Sequence, residues 1–265
     1  RGAAMIVTDE YGVTYDLECH PNFFCAGFLP IGAPDGVGYE FELSERRNDT
    51  AELYALLMHC KRLIGFNNFF YDWPMLWHFM GILSERRGNI THHDMWTKNQ
   101  QLFDIPYDQK WLHAIHRPEI SQVDLFMLHH LDRFNVGLKQ CEFAMRSPRV
   151  RDLPFPPGTI LTPVQMDEAI DYNITDLRET KRMFLLSKAD IEFRENLGPE
   201  WINYNDGKIG KKTFERELEA AGVRLYSPGV YGGRARPIQT PRPQGVHLAS
   251  VILPLVRFTR PENLP

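Results

Sequence analysis

A chain of 265 residues with 43% apolar and 24% charged side chains can bury a sizeable core, which excludes a disordered or fibrous protein. Its apolar runs are short and broken by charge or proline, which excludes a membrane-spanning helix. A net charge of −4 excludes mass attraction to duplex DNA as the main binding device.

Arg1 to Ala4 read as a cloning remnant ahead of a native Met5, and no signal-peptide stretch follows. Residues 13–18, Val-Thr-Tyr-Asp-Leu-Glu, alternate with period two and predict a strand; 23–29 and 37–43 are the next two, joined by a Gly/Pro-rich turn over 31–36. A helix is predicted over 50–61, where Leu53, Leu56, Leu57 and Cys60 recur at helical spacing. A short buried strand over 63–66 precedes a helix over 72–80 with Pro74 in its first turn. Residues 92–118, rich in His, Trp and Gln, read loosely as helical. A strand over 120–125 is followed by helices from Phe126 and over 136–145, then by a proline-rich loop over 147–158. The sharpest local signal is Leu161-Thr162-Pro163-Val164-Gln165-Met166. Thr162 is an N-cap, Pro163 takes the first helical position, Gln165 closes a capping box, and Leu161 with Met166 forms the hydrophobic staple. The helix begun there should run through Tyr172 and Asp176. Past about residue 190 the character changes, with a helix over 210–221, Gly- and Pro-rich loops to Val246, and a strand-like run over 246–258.

The four cysteines, Cys19, Cys25, Cys60 and Cys141, have no paired short spacing, which fits a reducing cytoplasm better than a disulfide scaffold. Cys19-His20, His92-His93 and His113 with His116 lack zinc-finger spacing and read as scattered core and surface residues. Charge is uneven: residues 191–265 hold 11 Lys+Arg against 8 Asp+Glu, while the rest holds 19 against 26.

Three acidic pieces carry the chemistry. On the first strand Val13, Tyr15 and Leu17 face the core, so Thr14, Asp16 and Glu18 share the other face. Alone, this pair reads as a solvated strand face, like Glu40 with Glu42. Asp72 sits where a strand hands over to a helix, and alone reads as a helix cap. Asn67 and Asn68 before it suit a tight turn, with substrate phosphate or sugar as their functional partner. The late helix's apolar stripe is Ala169, Ile170, Ile174 and Leu177; Tyr172 and Asp176 lie four apart on it, about 200° round from Ile170 and Ile174, solvated or lining a cleft. Asp124 reads as a cap or core acid. Lys139, Arg234 and Arg236 read as solvated cations with phosphate contact as the alternative, and Phe23, Phe24, Phe69 and Phe70 as core residues with base stacking as theirs.

Combined in order, Asp16-Leu17-Glu18, Asn68 to Asp72 and Tyr172 to Asp176 resemble the motifs of the DEDD exonuclease superfamily. The tyrosine four residues before the last acid matches its tyrosine subclass; the histidine subclass would need His at position 171, which is Asp. Residues 63–68 running into 71–76 are similar to the second exonuclease motif of family B and bacteriophage DNA polymerases. The resemblance implies a ribonuclease H-like fold: a mixed five-stranded sheet flanked by helices. It places a 3′-5′ exonuclease over residues 1–190 and a C-terminal α+β extension over 191–265, leading toward a polymerase module of the same full-length chain. It implies two divalent cations, Mg2+ or Mn2+, held by Asp16, Glu18, Asp72 and Asp176. Tyr172 orients the attacking water, and Leu17, Asn67, Asn68 and Phe69 touch the single-stranded DNA 3′ end. No palm motif of a polymerase is present. A cytoplasmic monomer is expected, in a host cell if the source is viral. A free-standing DNA or RNA exonuclease, or a non-catalytic single-strand-binding module, are the alternatives.

Overall fold

Strand β1 (Val13–His20) occupies the middle of a five-stranded mixed sheet. The computed structural model of the protein describes residues 11–35, 38–86, 90–106, 109, 120–129, 131 and 136–222. The sheet order is β3–β2–β1–β4–β5, with β2 (Phe23–Pro30), β3 (Tyr39–Ser44), β4 (Arg62–Gly65) and β5 (Ser121–Asp124). The first three strands form an antiparallel meander, whereas β4 and β5 run parallel to β1.

The sheet is covered on both faces, which explains why β2 is buried at every residue instead of alternating. On one side Val13, Tyr15, Leu17, Phe24, Ala26 and Phe28 join helices α1 (Thr50–His59), α2 (Asp72–Arg86) and α3 (His92–Phe103) in the main core. On the other side Ile64 and Val123 meet α4 (Leu125–Leu128), α5 (Leu138–Ala144), α6 (Pro163–Leu186) and α7 (Lys188–Leu197). Phe23 and Cys25 cover the start of α6 together with Leu161, Met166 and Ala169.

The capping box of α6 forms as the sequence predicts: the Thr162 side chain accepts from Gln165 N, Gln165 Oε1 accepts from Thr162 N, and Pro163 is the first helical residue. Asn22, in the turn between β1 and β2, fixes the helix start by exchanging two hydrogen bonds with the Leu161 backbone, at 2.8 and 2.9 Å. Further along, α6 is tied to β2 where Gly27 leaves room for Asn173 and Leu177. Its expected apolar stripe is only half borne out: Ala169 and Leu177 are buried. Ile170 and Ile174 are only half-buried, while Tyr172, Asn173, Asp176 and Thr180 are buried. The side of α6 turned to the sheet is partly polar because it faces the acids of β1.

Boundaries shift where capping or packing overrides periodicity. Helix α1 stops at His59, because Cys60 turns extended (ψ 128°) and its N–H closes on the Leu56 and Leu57 carbonyls. Helix α2 continues to Arg86, carried past the predicted end by buried Ile82. The last segment of the first unit blunts the β5 edge: the Asn203 amide donates to Gln122 O at 2.8 Å and accepts from Asp124 N at 2.7 Å, as a neighbouring strand would. The chain divides into two compact units, Arg1–Ile209 and Gly210–Pro265. Helix α8 (Asp206–Ala220) begins earlier than expected. Residues 1–4, His113, His116, Arg234, Arg236 and the strand expected over 246–258 lie outside the described residues. Among the described residues no helix is long and apolar enough to cross a membrane.

Candidate metal centre

The acids of the first and third sequence pieces meet at one place, with the acid of the second close enough to act on them electrostatically. Strand β4 ends at Gly65, having paired only with Val13 and Thr14 of β1, so the stretch Asp16–Glu18 has no β4 neighbour. The chain leaves the sheet through Asn67, held in the left-handed region at φ 62°, and re-enters as α2 with Asp72 at its first position. Burial raises the Asp72 pKa; the backbone N–H groups of Asp72 itself and of Leu17 on β1 lower it, which places the carboxylate at the uncovered end of β1. On the opposite face of β1, α6 delivers Asp176. One oxygen from each of Asp16, Glu18 and Asp176 lies within 4.8 Å of the others. Among the described residues this is the one group of three or more His, Cys, Asp or Glu gathered so closely. Asp72 stands outside that trio, yet contributes the largest carboxylate field on Asp16.

Each acid is held differently. Asn173 Nδ2 donates to Asp16 Oδ2 at 2.8 Å. Asp176 accepts, at 2.5 Å on Oδ1, the Lys139 ammonium; burial and then the Asp176 charge raise the nearby Tyr172 phenol above its ordinary pKa. Lys139 also donates to Glu142 Oε1 at 3.0 Å, and its Nζ lies 4.6 Å from the centroid of the Tyr172 ring. Glu18 receives no hydrogen bond from a described residue. Lys139 is therefore part-exposed but ion-paired: among the described residues it is the cation bonded to the cluster. Only its i,i+3 spacing to Glu142 was readable in the sequence, because its bond to Asp176 spans 37 positions.

The remaining expected site residues separate into turn builders and core. Asn68 is fully buried; its Nδ2 donates to Tyr15 Oη at 3.1 Å and Gln122 Oε1 at 2.9 Å. Its side chain thus stitches the turn to β1 and β5 and is not available to a ligand, which corrects the substrate-contact expectation. Gly65 makes this fit possible, since a β-carbon there would lie 2.7 Å from Asn68 Cβ. The Leu17 side chain is core, and its backbone N–H faces Asp72. Asn67 serves turn geometry through its backbone, donating N–H to Asp124 Oδ1 at 2.9 Å. Phe69 and Phe70 are half-buried in the same turn, whereas Phe23 and Phe24 are fully core. Asp124 caps α4 and accepts from Asn67 and Phe69, so it builds the turn from below; burial pushes it up to about 6 despite these bonds.

Burial and mutual repulsion hold protons on the cluster. Burial first, then the Asp176 and Asp72 charges, pushes Glu18 up to about 8. Burial also pushes Asp72 up to about 8, and raises Asp16 and Asp176. Carboxylates held close together, buried or half-buried, are a hard-donor set suited to Mg2+ or Mn2+. At these acids the folded chain without metal binds more protons than the unfolded one from about pH 4 to about pH 8, so the stability they contribute falls as pH rises through that window. Melting temperature in EDTA should therefore drop between about pH 5 and pH 8. Mn2+ or Mg2+ should restore it most at the upper end, since ion binding needs ionised carboxylates. A pH-independent melting temperature with no response to metal would contradict this account of the cluster.

No protein-family model matches the chain, and no curated protein matches its sequence.

Proposed function

We propose that this chain is the 3′-5′ exonuclease domain of a DNA polymerase, of the ribonuclease H-like tyrosine-subclass DEDD kind. It would cleave nucleoside 5′-monophosphates from single-stranded 3′ ends. The observation that carries the reading is the meeting of Asp16, Glu18 and Asp176 within 4.8 Å, with Tyr172 one turn before Asp176 on the same helix and its phenol in the field of all three acids. The mixed sheet with its antiparallel meander and two added parallel strands supports the fold assignment. In this reading residues 1–190 are the exonuclease, and 191–265 lead toward a polymerase module of a cytoplasmic enzyme.

Bound Mg2+ or Mn2+ would polarise the phosphoryl group and supply a nucleophilic water. The chain's own groups do the rest. Asp16, Glu18 and Asp176 offer the oxygens, and Asp72 supports them from the turn. Tyr172 orients the water: burial and the neighbouring carboxylates raise its pKa further above the ordinary phenol value, so it stays a donor and does not abstract a proton. Lys139 offsets the negative charge of the cluster and stands within reach of an incoming phosphate. Phe69, on the turn, offers a ring for the terminal base.

A 3′-labelled single strand with Mn2+ tests the reading directly, by release of labelled 5′-mononucleotide. Tyr172→Phe should lower the rate about 100-fold while Mn2+ affinity, measured by calorimetry, is retained. An unchanged rate would leave the phenol with packing alone.

A further inference from the structure

Helix α5 carries Lys139 and, one turn later on the same face, Phe143. Lys139 reaches into the acid cluster, while the Phe143 ring is 81% exposed. The helix closes in a Schellman turn: Arg146 N bonds Phe143 O at 3.0 Å and Ser147 N bonds Glu142 O at 2.9 Å. The left-handed position of that turn, where glycine is the ordinary occupant, is Arg146 at φ 56°. The turn is anchored from α6, where Arg182 Nη2 donates to Met145 O at 2.8 Å and Glu179 accepts from the Ser147 hydroxyl. Phe143, Ala144, Arg146 and Ser147 line an open hollow of about 490 Å³.

Two features of this turn ask for a ligand. A strained backbone holds a long cation where a smaller residue would be more stable, and a large aromatic ring stands in water beside it. The guanidinium groups of Arg146 and of Arg149, three residues on, make no hydrogen bond or ion pair with a described residue, unlike Arg151, which holds Asp171 at 2.5 Å. The acid cluster by itself repels a polyanion, so a strand entering it needs a positive anchor nearby.

We propose that the C-terminal turn of α5 is a docking platform for single-stranded nucleic acid on its way to the acidic site. Phe143 stacks a base, and Arg146 and Arg149 take backbone phosphates. The destination of the strand rests on the exonuclease reading; the platform itself does not.

The test titrates the full chain, in EDTA, with a fluorescent oligothymidylate. Phe143→Ala should weaken binding about ten-fold or more, and Phe143→Trp should retain it. Arg146→Gly should raise the melting temperature by about 2 °C while weakening binding and lowering the salt slope by about 0.7. Wild-type affinity in both Phe143→Ala and Arg146→Gly would overturn the platform, as would a chain that binds no oligothymidylate. The same variants are then assayed with Mn2+ on the p-nitrophenyl ester of thymidine 5′-monophosphate, too short to span the platform. Wild-type rates there, beside weakened strand binding, support the proposal. If the wild-type chain leaves the ester intact, the exonuclease reading fails, and the titration still decides the platform.

Discussion

Replacing Asp16 and Glu18 together by alanine should cut mononucleotide release from a single strand by on the order of a thousand-fold or more, about 4 kcal/mol of transition-state stabilisation. Neither acid supports the fold through a network of its own. Glu18 receives no hydrogen bond from a described residue, and Asp16 receives one from Asn173. Both are instead pushed toward protonation by burial and by neighbouring acids. The double variant should thus melt at the wild-type temperature or above it in EDTA, and lose the stabilisation by Mn2+. Opposite movement of activity and metal-free stability is the signature of a site whose charges serve a ligand. Undiminished degradation by the double variant would remove the assignment.

Gly27→Ala should be nearly as damaging by a different route. Gly27 pairs with Asp16 across the β1–β2 ladder and lies under α6. An added β-carbon would lie 2.0 Å from Asn173 Oδ1 and 2.7 Å from Leu177 Cδ1. Leu177 can yield at its flexible end, but Asn173 is buried and bonded to Asp16. The helix must therefore lift or the amide must rotate. Either change moves Asp176 and Tyr172 relative to Asp16. Overpacking of this kind costs about 1–3 kcal/mol, and a shift of about 1 Å at the site costs about 100-fold in rate. Asn173→Ala in the same chain gives the new methyl room, so the double variant should melt above Gly27→Ala alone without regaining activity. A Gly27→Ala protein with wild-type melting and rate would show that α6 is not seated through this contact.

The contrast between what was legible and what was not follows the range of the interaction. Period-two alternation placed Asp16 and Glu18 on one face of a strand, and the Thr162 capping box placed the helix carrying Tyr172 and Asp176. Both are local signals, set within a few residues. Lys139 on Asp176, Asn173 on Asp16 and the clearance at Gly27 are made between segments far apart in sequence, and no local pattern encodes them. The stripe of α6 misled for a related reason. Ala169 and Leu177 are buried as expected, but the acids on β1 also draw Tyr172 and Asp176 inward and leave Ile170 and Ile174 only half-buried. Asn68 misled because its place in a turn suggested exposure, whereas the early end of β4 and the absence of a side chain at Gly65 let it fold back between Tyr15 and Gln122.

Diffraction from crystals soaked in Mn2+ at about pH 8, recorded for anomalous signal, tests the metal centre most directly. A peak is expected about 2.1 Å from oxygens of Asp16, Glu18 and Asp176, with Lys139 displaced from Asp176. An ordered site with those three carboxylates, Lys139 still on Asp176 and no anomalous peak between them would contradict the metal centre.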